Sequence, residues 1–281
     1  MNTIKIKNMG NVCISKYHRK DNNICFDDIG TISINELKNI IINFDYLSSF
    51  LKFENEMNIY SVKAINLLSP INYDIFIKYL YFKNIDNDYI KKMYLKHIKI
   101  FNNYKEPDGS KKNKTDFLNS TKKLVLDFEN GFDSSKSIVP ISNQNIIIDG
   151  SHRIALSIIK NQKVSCIKFD TEDLLFDFRF FQKRGFSQEY LDLVGFSIIE
   201  LVNNISCLVF EYNNKSIIDM MYANFDVYYY KKVSNKIIFL FSNTSMEFYL
   251  NKKIIIGTEN IYNEYINFIK KKIVLRYNNL N

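Results

Sequence analysis

Five consecutive residues, 149–153, combine several potentially reactive side chains at one point of this sequence. They supply a carboxylate, a turn-permissive glycine, a hydroxyl, an imidazole and a guanidinium, in the order Asp149, Gly150, Ser151, His152 and Arg153. They lie between an apolar run and the start of an amphipathic helical pattern. The N–H groups and the dipole at a helix N-terminus favour anions, phosphate above all. The pattern therefore predicts an anion site, at which Arg153 can contact a phosphate through two N–H groups.

Asp149 is the candidate for chemistry beyond binding. It follows three apolar residues, 146–148, so its carboxylate is expected at the edge of the core. There it could hold Mg²⁺ against a nucleotide or orient an attacking hydroxyl. The structural alternative is that Asp149 and Ser151 cap the helix while Arg153 forms a surface ion pair.

The hydrophobic pattern predicts the elements that must hold this turn in place. The β-branched runs at 138–141 and 145–148 predict two short strands before it. Apolar residues at helical spacing predict an amphipathic helix after it, and the run at 164–169 predicts a third strand. The order is strand, polar turn, helix, strand, which is typical of an α/β core.

A second polar segment lies upstream at 104–114, with the sequence YKEPDGSKKNK. Its proline, aspartate and glycine predict a loop. Composition alone favours a solvated surface loop. The functional alternative makes Glu106 a general base and gives Lys111 and Lys112 contacts with phosphate. His97 precedes this loop in a predicted helix, and its role is open between packing and the site.

Elsewhere the pattern predicts alternating helices and strands. In the first half we expect a helix over 33–51, two helices within 71–103, and a helix capped by Thr115 or Asp116 that runs to about residue 129. In the second half we expect helices at 189–203, 215–223 and 258–272 and strands at 206–211, 226–233 and 236–241. Residues 186–281 contain no motif that indicates chemistry.

Length, composition and charge limit the classes of protein to which this chain could belong. The chain has 281 residues, is 46% hydrophobic and carries a net charge of +8. The charge leaves nucleic-acid binding open, although the lysines are spread along the chain. The four cysteines have no spacing typical of a zinc site or a disulfide framework. No apolar run approaches the roughly 20 residues of a membrane span, and no signal peptide is evident, so we expect a cytoplasmic protein.

The sequence DGSHRIALSI at 149–158 resembles the DGxHRxxA signature of the ParB/sulfiredoxin-like superfamily. That superfamily includes partition proteins that bind CTP, sulfiredoxin, and free-serine kinases. The resemblance implies that residues 150–153 bind nucleotide phosphates. A wider likeness over residues 72–200 is to ParB-like proteins of bacterial capsule and O-antigen gene clusters, through stretches such as YDIFIKYLY, LKHIKIFNNYKEPDGSKK and FFQKRGFSQEYLD.

The branches of the superfamily differ at informative positions. The serine kinases use a glutamate upstream of the central strands together with the aspartate of DGxHR, and the matching residues are Glu106 and Asp149. Sulfiredoxin needs a cysteine where this chain has Ser151. Partition proteins carry an arginine-rich box and a helical DNA-binding region, which residues 200–281 do not resemble. The resemblance therefore favours a kinase and disfavours both sulfiredoxin chemistry and partition.

The resulting expectation is an α/β protein with a ParB/sulfiredoxin-like core. Residues 1–103 would form a mostly helical N-terminal extension, 104–185 the nucleotide-binding core, and 186–281 an α/β C-terminal extension. No repeat or low-complexity linker separates these ranges.

The expected function is transfer of a phosphoryl group from ATP, or from ADP or CTP, to a hydroxyl of a small molecule, sugar or polyol in surface-polysaccharide synthesis. Glu106 would remove the acceptor proton, Asp149 would hold Mg²⁺ or the acceptor, and His152 and Arg153 would neutralise charge. The alternatives are a nucleotide-binding switch without catalysis, and a DNA-binding or nuclease protein.

Overall fold

The computed structural model describes residues 2–6, 10–15, 24–41, 43–106, 108–129, 131–133, 136–202, 205–211, 216–234 and 236–242. The described chain divides into two compact units, of which the first ends at Phe186 and the second begins at Ser187. The first unit therefore contains both the expected N-terminal extension, 1–103, and the expected nucleotide-binding core, 104–185. Both units combine helices and strands, which confirms the α/β class.

The first unit is built on a mixed four-stranded sheet. In chain order its elements are β1 (Asn2–Ile6), β2 (Gly10–Ser15), β3 (Asp27–Ser33), α1 (Ile34–Ile40), α2 (Phe44–Ser48), β4 (Glu56–Lys63), a 3₁₀ turn (Ala64–Leu67), α3 (Tyr73–Lys83), α4 (Asp88–Asn102), α5 (Lys114–Asp127), β5 (Val139–Ser142), α6 (Ser151–Ile159), β6 (Lys163–Phe169), β7 (Asp173–Leu174) and α7 (Phe178–Gln182). The main sheet has the order β3-β4-β6-β5, with β5 and β6 parallel and the other pairs antiparallel. A smaller sheet has the order β1-β2-β7.

The unit β5–α6–β6 is the part that positions the turn at 149–153. Helix α6 connects two neighbouring parallel strands and buries Ile154, Ala155 and Ile158, as the helical spacing predicts. Its buried face packs against α3 and the 3₁₀ turn. Pro140 is tolerated in β5 because β5 is the edge strand of the sheet.

Two predicted elements are wrong. The range 145–148 contains no strand but a tight return with a single antiparallel bridge, Ile141 to Ile147, because Asn145 adopts a left-handed φ of 61°. The predicted helix over 33–51 is split into α1 and α2. Helix α1 ends at Ile40 because Ile41 takes an extended ψ of 116°, and α2 begins after Asn43, whose φ is 64°.

The predicted helices within 71–103 are confirmed as α3 and α4. Ten consecutive residues of α3, Tyr73 to Phe82, are buried, so this helix lies inside the unit rather than on its surface. Helix α5 begins slightly earlier than expected, because the Asn113 side chain, and not Thr115 or Asp116, caps it by accepting from the Asp116 N–H.

The second unit is a three-stranded antiparallel sheet with helices. Its elements are α8 (Gln188–Leu201), β8 (Ile205–Glu211), α9 (Ser216–Asn224), β9 (Asp226–Val233) and β10 (Lys236–Ser242), with strand order β8-β10-β9. These match the helices and strands expected at 189–241, whereas the expected helix at 258–272 lies outside the described residues. No helix in the described ranges combines the length and apolar character needed to cross a bilayer.

We expect the buried face of α6 to be a main source of stability for the first unit. Ile154 is fully buried, so Ile154→Ala should lower the free energy of unfolding by about 2–5 kcal/mol. Ile159→Ala is the matched control on the same helix, because Ile159 is 38% exposed, and it should cost less than about 1 kcal/mol. Denaturant unfolding measures both, and equal costs would contradict this packing.

Candidate functional site

A cavity of about 510 Å³ lies in the first unit at the start of α6. Its wall combines the turn at 149–153, the loop at 106–111, one side of α5, and parts of α3 and α4. Of the residues predicted for the site, those that line this cavity are Glu106, Lys111, Asp149, Gly150, Ser151, His152 and Arg153. The fold therefore brings the two predicted carboxylates, Glu106 and Asp149, to one cavity from positions 43 residues apart.

Gly150 is the backbone pivot of the site. It occupies the N-cap position of α6 with a φ of 93°, a conformation that side chains disfavour. A Cβ at this position would also lie 2.8 Å from Arg153 Nη2. Ser151 is the first residue of α6 rather than its cap, so the capping role that the sequence allowed for Ser151 is wrong.

The backbone just before Asp149 is held by Asn72, the N-cap residue of α3. The Asn72 Nδ2 donates to the Ile147 carbonyl at 3.1 Å, and the Ile147 N–H donates to Asn72 Oδ1 at 3.3 Å. This pair of bonds fixes the backbone two residues ahead of Asp149. The carboxylate of Asp149 is thereby placed at the cavity wall by α3 as well as by its own turn.

The buried side chain of Arg153 stabilises the turn through hydrogen bonds. Its Nη2 donates to Asp149 Oδ2 at 3.3 Å, and its Nη1 donates to Ser137 Oγ and, at 3.5 Å, to the Ile138 carbonyl. The residue is only 5% exposed. Burial lowers the pKa of Arg153, which the Asp149 carboxylate opposes. The ion pair that the sequence allowed thus exists but is buried, and the guanidinium joins the turn at 149–153 to the segment at 137–138.

His152 is an uncharged member of the cavity wall. Its Nε2 shares a hydrogen bond of 2.9 Å with the Tyr94 hydroxyl, and its ring lies edge-on to Phe82. Burial, followed by the positive charges of Lys78 and Lys111, holds the pKa of His152 well below its usual value. A neutral imidazole cannot neutralise phosphate charge, so its contribution to a ligand is a hydrogen bond.

The loop at 104–114 presents Glu106 and Lys111 to the cavity. Lys111 Nζ lies 3.2 Å from Glu106 Oε1, and both side chains are only about a fifth to a quarter exposed, at 21% for Glu106 and 24% for Lys111. The Glu106 N–H also donates to the Lys111 carbonyl. Lys112 lies instead in a neighbouring depression with Asn113. The two lysines, which the sequence treats alike, therefore differ in position.

The phenol of Tyr46 is affected by both predicted carboxylates. Burial raises the pKa of Tyr46, and the negative charges of Asp149 and Glu106 raise it further. Although Asp149 and Glu106 are far apart in the sequence, both charges therefore affect the same phenol. This agrees with their position in one cavity.

Asp74 and Lys78 of α3 also line the cavity, although the sequence pattern did not lead us to expect them there. Asp74 and Lys78 form an ion pair of 2.7 Å on α3, each 3% exposed, and Lys78 Nζ also contacts Ser151 Oγ. A signal was present, because an Asp and a Lys four residues apart interrupt the otherwise apolar helix YDIFIKYLYFK. Charged groups inside such a helix must be paired or functional.

His97 belongs to the packing behind the site. It is fully buried, does not line the cavity, and lies between the rings of Tyr94, Phe101 and Phe181. In the described part of the chain neither ring nitrogen has a hydrogen-bond partner. Burial, reinforced by the charge of Lys78, lowers the pKa of His97 to about 3.

The cavity carries more negative than positive groups. Six carboxylates line it, from Asp74, Glu106, Asp108, Asp116, Asp127 and Asp149, against four cations, from Lys78, Lys111, Lys123 and Arg153. Three of the cations are already in ion pairs with cavity carboxylates. An anionic ligand would therefore have to compete for these cations or bring a metal ion with it.

Mg²⁺ fits this set of groups in a limited way. Among the described residues no cluster of three histidine, cysteine or acidic side chains could hold a metal ion alone. Mg²⁺ is commonly held by one or two carboxylates together with substrate phosphates, and Asp149 with Glu106 could supply these. A nucleotide would have to provide the remaining oxygen ligands.

Comparison of the chain with protein-family models, curated proteins and solved structures gave no match. The resemblance to the ParB/sulfiredoxin-like superfamily thus rests on the residues quoted from the sequence and on nothing further.

We expect His97 to make the protein sensitive to acid. With a pKa of about 3 in the folded state against an ordinary value of 6.5, His97 binds more protons when unfolded. Stability should therefore fall as the pH falls from 6.5 towards 3, with His97 contributing at most about 1.4 kcal/mol per pH unit. His97→Phe should keep the ring packing, raise stability and make this pH dependence shallower by one proton.

The measurement is urea unfolding of both proteins at several pH values between 4 and 7. His152 and Asp74, whose pKa values are also lowered, remain in the variant and contribute to the slope that is left. An unchanged slope in His97→Phe would contradict the buried, neutral state of His97.

Proposed function

We propose that this protein is a kinase that transfers the terminal phosphoryl group of ATP to a hydroxyl of a small molecule, sugar or polyol. The observation that carries the proposal is the shared cavity, whose wall includes Glu106, Asp149 and the N-terminus of α6. An anion-binding helix start beside two carboxylates is suited to phosphoryl transfer, in which positioning and charge stabilisation dominate.

The start of α6 is the proposed phosphate site. The first N–H groups of a helix have no partners within it, and Gly150 at the N-cap has no side chain to satisfy them. Phosphate oxygens would accept from these N–H groups, while His152 adds a neutral hydrogen bond. Arg153 keeps the turn in shape through its bond to Asp149.

Lys111 and Glu106 have linked roles in this proposal. In the described structure they are paired with each other. Phosphate oxygens in the cavity would attract Lys111 and leave Glu106 free to accept the proton of the acceptor hydroxyl. Lys112, outside the cavity wall, could act only from the neighbouring depression.

Asp149 would hold Mg²⁺ against the nucleotide phosphates. The metal would supply the positive charge that the paired cations of the cavity do not. Asp149 is already oriented by Arg153 and by the Asn72 bonds to Ile147, so its carboxylate needs little reorganisation to act.

The part of the cavity wall that α5 forms suits a hydroxyl-rich acceptor. Asp116, Ser120 and Asp127 of α5 line it with hydrogen-bonding oxygens. The resemblance to proteins of capsule and O-antigen clusters supports a sugar or polyol in surface-polysaccharide synthesis. Such an enzyme would work in the cytoplasm, where ATP is supplied.

Removing either carboxylate function should abolish most turnover. Glu106→Gln and Asp149→Asn should each lower the rate by about 100-fold or more, because they remove the base and the metal ligand. Glu54→Gln, at an exposed position away from the cavity, is the matched control. A thermal-shift screen of nucleotides with Mg²⁺, followed by mass spectrometry of candidate acceptors, provides the assay.

Full turnover in both variants would disprove the assigned roles. Nucleotide binding without any phosphorylated product would favour a nucleotide-dependent switch instead. Failure of ATP, ADP and CTP alike to raise the melting temperature would remove the nucleotide from the proposal.

A further inference from the structure

The most deeply buried charged pair of the cavity, Asp74 and Lys78, has no role in the kinase mechanism described above. Asp74 and Lys78 lie one turn apart on α3, 2.7 Å from each other and each 3% exposed. Such a pair is costly to bury, and apolar residues of similar volume would be as stable or more stable. The pair is also part of the cavity wall, so it faces the space where a ligand would bind.

Ser151, at the start of α6, contacts this ion pair. Lys78 Nζ donates to Ser151 Oγ. The same ammonium is paired with Asp74, and the side chain of Ser151 is among the groups that lower the pKa of Asp74 through a hydrogen bond. A hydroxyl in contact with both a carboxylate and an ammonium has a proton acceptor and a stabilising cation beside it. This is the arrangement that activates a serine as a nucleophile.

The position of Ser151 strengthens this interpretation. Ser151 is the first residue of α6, so its Oγ lies at the helix start where the phosphates of a nucleotide are proposed to bind. Asp74 has a lowered pKa and is a weak base in water. The catalytic aspartate of protein kinases nevertheless accepts a hydroxyl proton, because phosphoryl transfer demands little of the base.

We propose that Ser151 carries the phosphoryl group covalently during the reaction, an inference that rests on the proposed kinase function. In the first step Ser151 Oγ bonds to the terminal phosphorus of the nucleoside triphosphate, and the bond from that phosphorus to the bridging oxygen breaks. The bonding electron pair leaves with the nucleoside diphosphate. The serine proton passes to Asp74, while Lys78 stabilises the charge of the transferred group.

In the second step the acceptor hydroxyl attacks the phosphorus of phosphoserine 151. Glu106 takes the acceptor proton, the Oγ–P bond breaks, and Ser151 recovers its proton from Asp74. The sum is one triphosphate and one hydroxyl converted into one diphosphate, one phosphate ester and one proton. The two carboxylate sites, Asp74 and Glu106, thereby serve the two half-reactions separately.

The experiment is a labelling reaction on the full chain with Mg²⁺ and ATP and without an acceptor. After an acid quench, peptide mass spectrometry should locate one phosphoryl group on Ser151, since phosphoserine is stable to acid. ADP added before the quench should remove the label by reversing the step. Ser151→Ala should lose the label and still show a MgATP-dependent rise in melting temperature.

Ser157→Ala is the matched control, because Ser157 lies on the same helix, is buried, and is not in the cavity wall. It should label like the wild type. Asp74→Asn should slow labelling by about 100-fold or more if Asp74 takes the proton. Should this variant fail to fold with Lys78 unpaired, the Ser151→Ala and Ser157→Ala pair still decides the proposal.

Three results would overturn the inference. One is ATP turnover or acceptor phosphorylation with no label on Ser151 at the shortest quench times, which would leave the kinase function standing. A label that ADP cannot remove would make the modification a dead end. Absence of any nucleotide-dependent rise in melting temperature in the wild type would remove the kinase function and the inference together.

Discussion

The buried ion pair between Asp74 and Lys78 is the interaction on which the site depends. Desolvating two charges is expensive, and they remain compatible with a folded core only because they satisfy each other and Ser151. Loss of one partner leaves the other uncompensated, at a cost of about 3–5 kcal/mol. The pair therefore fixes the start of α6 relative to α3, and with it the position of the whole 149–153 turn.

A second layer of contacts makes the turn rigid before any ligand arrives. Arg153 bonds to Asp149 and to the segment at 137–138, while Asn72 holds the backbone of Ile147. These groups are mostly buried, whereas Glu106 and Lys111, which line the same cavity, are partly exposed. The cavity thus has one wall with fixed dipoles, as electrostatic catalysis requires, and one wall whose ion pair a ligand can rearrange.

The successes and failures of sequence prediction have physical causes. The helix at 151–159 is predicted from its amphipathic spacing, and the strands on either side of it from short continuous apolar runs. The strand expected at 145–148 fails because Asn145 takes a left-handed conformation that ends pairing after one bridge. Such local conformations carry no hydrophobic signal, and the same is true of Asn43, where an expected long helix divides.

The sequence by itself determined the turn at 149–153, because its five polar or permissive residues are contiguous and stand between apolar elements. Only the tertiary structure decided which of these groups carry charge and which other residues join them. Burial makes His152 neutral and turns Arg153 inward, and packing of α3 against α6 brings Lys78 to a serine 73 residues away. Desolvation and long-range contact are properties of the folded chain, and no pattern of neighbouring residues encodes them.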